Sequence, residues 1–140
     1  MTLINNIKNN HILAITIGIV YIWFGVLKFF PLLSPAEVIA QNTISVLTFE
    51  LIPPKVSIIL LAIWETIIGV LLLLNIYRKP VILLTILHII CTFTPLLFFP
   101  DESFTQPFAY TLLGQYIFKN IIILAALGTL YQEVKIMVND

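Results

Sequence analysis

Four ionisable residues lie within segments whose other residues are almost all apolar: Lys28, Glu65, His88 and Lys119. A charged side chain in the hydrocarbon of a bilayer costs at least ~2.5 kcal/mol, so it normally faces a partner, a cavity or a ligand. A carboxylate and an imidazole in such a place can accept and return protons. We therefore predict an intramembrane polar site with Glu65 and His88 as its catalytic, proton-transferring residues. Lys28 and Lys119 would bind the ligand through an anion or a polarised oxygen.

Each of these residues also has a plain structural interpretation. Glu65 could be a structural carboxylate paired with a lysine, although Gly69, four residues on, indicates that its helix face packs inward. Lys28 lies near the end of its segment, where it could extend to the membrane interface or pair with Glu65 or Glu37. His88 could be a buried histidine satisfied by one hydrogen bond. The sequence leaves these alternatives open.

A polar stripe extends the predicted site along the last apolar segment. Thr111, Gln115 and Lys119 are spaced by four residues, and Tyr116 and Asn120 lie alongside. Gln and Asn commonly join membrane helices by hydrogen bonds, but a cation among them suggests a ligand site. Gln115 and Tyr116 are therefore predicted to bind the ligand with the two lysines, in a cavity open to the outside.

Glu37 completes the predicted ligand-binding set. Two lysines against one glutamate leave surplus positive charge in the cavity, which Glu37 could neutralise or which could hold an anion or a quinone carbonyl. No metal site is predicted. His11 lies at the membrane edge and His88 lies deep, which argues against a pair of haem ligands. The single cysteine, Cys91, rules out an internal disulfide and a thiolate metal cluster.

The composition places the chain among membrane proteins. Of its 140 residues, 60% are hydrophobic and 10% are charged, whereas soluble domains average about 45–50% apolar and about 25% charged. The bilayer is therefore the first expected partner. The formal net charge is zero, and no basic patch indicates nucleic acid.

About 20 apolar residues are needed to cross a membrane core of ~30 Å. Four segments meet this length: residues 12–30, 56–76, 80–99 and 108–131. The first is too long for a signal-peptide core and is interpreted as an uncleaved span. The fold class predicted is all-α, an integral membrane four-helix bundle that forms a single domain over residues 1–140.

The basic residues predict the orientation of the bundle. Lys8, Arg78, Lys79 and Lys135 fall on one side of the membrane, and Lys55 falls on the other. By the positive-inside rule both termini are cytoplasmic.

The long loop between the first two spans is predicted to contain a short helix, over residues 34–49. Ser34 has the character of an N-cap, Pro35 suits the first helical position, and Glu37 would close a capping box. Pro53 and Pro54 end the segment. The helix would lie in the outer membrane interface or dip into the bilayer as a re-entrant element.

Three groups of residues resemble the DoxX-like membrane protein superfamily (DoxX/DoxD-like). They are Trp23-Phe24-Gly25-Val26-Leu27-Lys28-Phe29, Glu65 with Gly69, and Gly114-Gln115-Tyr116 with Lys119-Asn120. The most specific element is Gly-x-x-Lys at the end of the first helix, followed by Ser34-Pro35-Ala36-Glu37. The resemblance covers nearly the whole chain and implies a multi-pass protein of the bacterial inner membrane. Relatives include the DoxD-type subunit of a thiosulfate:quinone oxidoreductase and proteins of oxidative-stress complexes.

A fold resemblance does not fix a function. The first hypothesis is a membrane subunit of a redox or oxidative-stress system that binds quinone or a small anion, with no intrinsic cofactor and with electrons supplied by a partner protein or by quinone. The second is a non-enzymatic scaffold or assembly factor. The third is a small proton or weak-acid transporter, which would need self-association. Whether the chain is an enzyme stays open.

Overall fold

The computed structural model describes the backbone of residues 2–139 and the side chains of residues 11–135. The chain is mostly helical. Its helices are α1 (Thr2–Leu27), α2 (Glu37–Leu47), α3 (Pro54–Leu74), α4 (Arg78–Cys91), α5 (Pro95–Phe98), α6 (Pro100–Ser103), α7 (Leu112–Phe118) and α8 (Asn120–Asn139). Two short antiparallel strands, β1 (Phe104–Gln106) and β2 (Ala109–Tyr110), form a hairpin. The predicted all-α class is confirmed apart from this hairpin.

Three helical segments are long and apolar enough to cross a membrane: Pro54–Leu74, Arg78–Phe98 and Leu112–Lys135. A shorter apolar helix covers His11–Leu27, the part of α1 whose side chains are described. The prediction of membrane-length helices is confirmed for these three. Lys8, on which the predicted orientation partly rests, lies outside the residues whose side chains are described.

Helix α1 ends at Leu27, three residues before the end of the first predicted span, residues 12–30, and within the about two to four residues by which such predicted ends differ. The amides of the next three residues bond to carbonyls only three positions back, as in Lys28 N to Gly25 O at 3.2 Å. Pro31 disfavours helical geometry in the residue before it, so the helix unwinds into turns here. Lys28 is thereby placed at the C-terminal end of α1.

The most extensive helix packing joins α1 to α3. A Cβ built on Gly25 would lie 2.7 Å from Thr66 Oγ1, and one on Gly69 would lie 2.7 Å from Gly18 O. Real side chains do not come this close, so glycine is required for the two backbones to approach. These contacts also set an antiparallel register in which the end of α1 meets the middle of α3.

The apolar core lies in the half of the molecule next to the α3–α4 turn. Its buried residues are Ala14, Ile17, Tyr21, Ile68, Leu72, Val81, Ile82, Ile89, Leu127, Leu130 and Val134. At the turn, Asn75 and Tyr77 adopt left-handed backbone conformations; asparagine tolerates this geometry well. Arg78 at the start of α4 donates to Glu133 of α8 at 3.1 Å and ties the ends of these helices together.

The loop helix is shorter than the predicted residues 34–49, because α2 begins at Glu37 and ends at Leu47. The predicted capping box does not form. Ser34 and Pro35 precede the helix in a turn, and the Glu37 carboxylate accepts a hydrogen bond from Leu32 N at 2.8 Å instead. The helix packs against α3 and α5.

Helix α7 begins at Leu112, four residues after the start of the fourth predicted span, residues 108–131, and within the same margin; residues 104–110 form the β-hairpin. Thr111 is the N-cap: its hydroxyl accepts from Gly114 N at 3.0 Å and donates to Glu102 O at 2.7 Å. The helical path is interrupted at Lys119, between α7 and α8. Turns at residues 92–94 similarly separate α4 from α5, where Pro95 lacks an amide donor.

Candidate ligand cavity

A cavity of about 320 Å³ lies in the half of the molecule opposite the α3–α4 turn. Its walls come from the C-terminal part of α1, the first half of α3, the end of α4 and the residues around the α7–α8 junction, with α2 laid across them. Small-molecule sites range from about 300 to 1,000 Å³. The space therefore suits a ligand the size of a small ring or an oxyanion.

An ion pair lies on the cavity wall between α1 and α3. Lys28 Nζ donates to Glu65 Oε2 at 2.5 Å, and each residue is only 8% exposed. The same ammonium donates to Phe24 O at 3.3 Å, so it also interacts favourably with the partial negative charge at the end of α1. Of the alternatives for Lys28, the structure has the pair with Glu65; the side chain is buried and does not contact Glu37. The close contact at Gly25 makes this pairing possible.

His88 of α4 continues the row of polar groups from Glu65. Its Nε2 lies 3.6 Å from Glu65 Oε1, and its Nδ1 lies 3.0 Å from the Tyr21 hydroxyl. The first distance exceeds that of a hydrogen bond. A neutral imidazole protonated on Nε2 makes both contacts favourable, because Nδ1 then accepts from Tyr21 while the N–H faces the carboxylate. Three helices thus bring Lys28, Glu65, His88 and Tyr21 into one contiguous row.

The α7–α8 junction forms the open side of the cavity. Tyr116 and Lys119 line it and are both exposed at the surface of the chain. Asn120 donates to Thr92 Oγ1 at 2.9 Å and joins α8 to the end of α4. The rings of Phe24 and Tyr116 meet edge to face, with centroids 5.7 Å apart. Lys119 therefore stands at the mouth, with the aromatic pair beside it.

Two residues of the predicted site do not line this cavity. Gln115 is exposed, and its amide points to Tyr110 O at 3.5 Å. The predicted stripe is displaced, because the cavity face carries Tyr116, Lys119 and Asn120. Glu37 is engaged by Leu32 N and by the Gln41 amide at 3.4 Å. Glu37 was one group that could have neutralised the charge of the cavity. It does not line the cavity, because its carboxylate accepts the Leu32 amide in the turn before α2.

One face of α2 forms an almost entirely apolar wall opposite the polar row. The lining residues recur with helical spacing: Ala36, Ile39, Ala40, Thr43, Ile44 and Leu47. The Thr43 hydroxyl donates to Ile39 O at 2.6 Å and so offers the cavity little polarity. This periodicity is visible in the sequence and could have assigned α2 to the cavity.

Tyr21 is the site residue that sequence reasoning missed. It lies on the same helix face as Gly25 and Lys28, at spacings of four and seven residues. A tyrosine hydroxyl in an apolar segment usually requires a hydrogen-bond partner, and that requirement was the available signal. Its partner, His88, lies 67 positions away in the chain, so only the folded structure identifies it.

The formal charges of the lining leave the cavity positive. Two lysines, Lys28 and Lys119, and one acid, Glu65, are the charged groups among its described lining residues. Glu65 is paired with Lys28, so the surplus cation is Lys119 at the mouth. Among the described side chains, no three His, Cys, Asp or Glu residues cluster as a metal site would require.

Comparison of the chain with known proteins gives no matching family model, no matching curated protein and no matching solved structure. The resemblance to the DoxX-like superfamily stays a prediction from the residues.

Proposed function

We propose that the chain is a four-helix membrane bundle with α1 as its remaining span. The apolar part of α1, His11–Leu27, is about 26 Å long at ~1.5 Å per residue, which is at the short end of the range for a membrane span. Arg78 and Lys79 lie at the α3–α4 turn and Lys135 lies near the end of α8, all at the closely packed end. By the positive-inside rule that end, with both termini, faces the cytoplasm of a bacterial inner membrane. The cavity then opens toward the outer side.

Within that bundle the cavity binds a small anion or a quinone carbonyl oxygen, and the protein serves as a membrane subunit of a redox or oxidative-stress system. The observation that carries this proposal is the row of Lys28, Glu65 and His88 beside a cavity whose mouth carries a further cation. An ion pair alone would need no adjoining space. The surplus positive charge of Lys119 favours a ligand with an anionic or polarised oxygen.

The lining fits the head group of a quinone. Lys119 and the Tyr116 hydroxyl would donate to one oxygen at the mouth, and the apolar face of α2 would cover the ring. A bound quinone would supply two-electron redox chemistry, with electrons from a partner protein. The chain's own contribution would be to bind and orient the head group.

Glu65 and His88 would hold the protons that accompany such chemistry. Their facing atoms, Glu65 Oε1 and His88 Nε2, are 3.6 Å apart, so a small side-chain movement would bring them within proton-transfer distance. Tyr21 fixes the imidazole by its bond to Nδ1. Lys28 keeps the carboxylate in place.

Retention of small molecules in nanodiscs tests this function directly. Wild type, Glu65→Gln, Lys119→Met and the control Glu50→Gln would be purified alike, and bound compounds identified by mass spectrometry. Glu50 is exposed and outside the cavity, so its variant should match wild type. We expect a quinone or an oxyanion in wild type that is depleted in both cavity variants. Lipid alone in all four samples would contradict the proposal.

A scaffold or assembly factor is the second candidate. The observation in its favour is that the Lys28–Glu65 pair is satisfied within the chain and joins α1 to α3. Under this alternative, Glu65→Gln would lower stability or release a partner protein without altering any retained ligand. Co-purification of partners with wild type and Glu65→Gln separates the two candidates.

A further inference from the structure

An apolar groove of about 320 Å³ lies between α3 and α4, with Ile44 of α2 on its wall, and adjoins the polar cavity. Its walls are largely hydrocarbon, from Ile44, Ile52, Leu60, Leu61, Trp64 and Leu87. Ser57 also lines it, but its hydroxyl donates to Pro54 O at 2.8 Å and is satisfied within α3. The groove therefore offers almost no polar group to a ligand.

Groove and cavity share part of their walls. Ile44, Leu61, His88 and Cys91 line both spaces, so they adjoin across a single layer of side chains. A molecule that passes between these side chains would have one end beside Glu65 and the other against Leu60 and Leu87.

From this arrangement we propose that the ligand is a membrane amphiphile, with a ring-sized oxygenated head in the cavity and a single hydrocarbon chain in the groove. This inference rests on the proposed ligand-binding function and adds the chemical class of the ligand. An isoprenoid quinone has this form. An inorganic anion does not, because it would leave the groove without a role.

The position of the groove supports a hydrocarbon occupant. Leu60 and Leu87 belong to helical segments of membrane-spanning length and are 50% and 56% exposed. In a bilayer these side chains face lipid, so a chain dissolved in the membrane can enter the groove without crossing water. His88 lines both spaces and lies beside Glu65, so a head group that enters past His88 lies next to the Lys28–Glu65 pair.

The tail contributes a limited amount of affinity. Moving a hydrocarbon chain from lipid to an apolar groove gains little from the hydrophobic effect, because the acyl chains are equally apolar. The gain comes from close packing and from orientation of the head. We therefore expect a tailed ligand to bind about fivefold to tenfold more tightly than its tail-less form, compared at equal mole fraction in the lipid.

The test uses two probes: a ubiquinone with a short isoprenoid tail, and the same ring with a methyl group in place of the tail. Each is titrated into nanodiscs, and bound quinone is measured by mass spectrometry of the released complex. Leu87→Trp fills the groove. Leu83→Trp is the matched control, because Leu83 lies one turn earlier on α4, is 44% exposed and lines neither space.

We expect Leu87→Trp to remove the advantage of the tailed probe while binding of the tail-less ring stays unchanged, and Leu83→Trp to leave both unchanged. Equal affinity of wild type for the two probes would overturn the inference and leave the proposed function standing. Binding of neither quinone probe nor of sulfate or phosphate would remove the proposed function, and the inference with it. Leu60→Trp, with Ile59→Trp as its control, repeats the test from α3 if Leu87→Trp does not fold.

Discussion

The two ends of the molecule are built from the same four long helices but differ in how those helices meet. Near the α3–α4 turn, α1, α3, α4 and α8 pack around a continuous apolar core. Toward the other end they separate around the cavity, and α2 covers the gap. Among the side chains of residues 11–135, each end contains one ion pair between helices, Arg78–Glu133 at the packed end and Lys28–Glu65 at the cavity.

The two ion pairs differ in their surroundings. Arg78 lies at the start of its helix, where a guanidinium can hold the helix ends and still reach the membrane surface. The two carboxylates are about equally buried, with side chains 10% exposed in Glu65 and 9% in Glu133, but the Lys28 side chain is 7% exposed where that of Arg78 is 19%. Both members of the Lys28–Glu65 pair are therefore enclosed, although buried pairs often stabilise no more than apolar residues of similar volume. A mid-helix carboxylate beside an imidazole and a cavity is therefore better explained by binding or proton transfer. The packed end supplies stability, and the cavity end retains polar groups.

The largest expected effect on stability is from removal of the Lys28 ammonium, the partner of Glu65. Lys28→Met leaves the Glu65 carboxylate buried without its partner and should lower the free energy of unfolding by about 3–5 kcal/mol. Unfolding in detergent micelles measures this loss. The double variant Lys28→Met/Glu65→Gln should recover much of it. Arg78→Met at the packed end leaves an equally buried carboxylate, Glu133, but should cost less, about 1–2 kcal/mol, because the Arg78 side chain is 19% exposed and its pair is nearer the surface of the chain. Equal losses at both ends would remove the distinction between the pairs.

Truncation in the core tests the packed end. Leu130 is fully buried, so Leu130→Ala should lower stability by about 3 kcal/mol through the cavity it creates. Ligand retention in nanodiscs should be unchanged for protein that remains folded. Ile123→Ala, on the wall of the ligand cavity, should cost about 1 kcal/mol and alter retention instead. The opposite pattern would show that the binding region and the stabilising region are not separate.

The glycine contact between α1 and α3 sets the register of the site. A Cβ at Gly69 would lie 2.6 Å from Ile22 Cγ1, so Gly69→Ala should push the helices apart and cost about 2 kcal/mol. The larger spacing should also weaken ligand retention. Gly128→Ala is the control, since nothing lies within 4 Å of a Cβ there; it should be neutral or stabilising by up to ~1 kcal/mol.

The smallest effect is expected from the Tyr21 hydroxyl. Tyr21→Phe keeps the ring in the core but removes the hydrogen bond to His88 Nδ1, with an expected loss of about 1 kcal/mol. Nitrogen NMR of labelled histidine should show a changed Nδ1 resonance and tautomer ratio. Unchanged His88 resonances in this variant would falsify the assignment of Tyr21 to the site.

The residues that carry charge in apolar segments could be selected from the sequence, because each violates the composition around it. Lys28, Glu65, His88 and Lys119 all line the cavity. The choice between Glu65 and Glu37 as partner of Lys28 could not be made, because it depends on the register of α1 against α3. Gln115 was placed by its spacing of four residues from Lys119, but the helix face that lines the cavity is centred on Tyr116, Asn120 and Ile123, and Gln115 lies beside that face.

Local chemistry was also an incomplete guide to the loops. The residues Ser34 to Glu37 have the composition of a capping box, yet the Glu37 carboxylate binds the Leu32 amide. The β-hairpin at residues 104–110 lacks the two-residue turn with glycine that usually predicts a hairpin. Phe108 adopts a positive φ of 65° in its turn, a conformation that is uncommon for phenylalanine. Contacts with neighbouring helices decide these segments, and such contacts are not encoded in a short window.

The sequence by itself determined the class of the protein and the polar side chains that cannot be left in hydrocarbon, because both follow from composition and the length of apolar runs. Only the tertiary structure decided which of them meet. The pairing of Lys28 with Glu65 depends on how closely Gly25 lets α1 approach α3. The contacts of His88 with Glu65 and Tyr21 depend on how α4 packs against those two helices. The apolar wall of α2 and the adjoining groove likewise exist only once the helices are packed, since a cavity is a property of the space between elements.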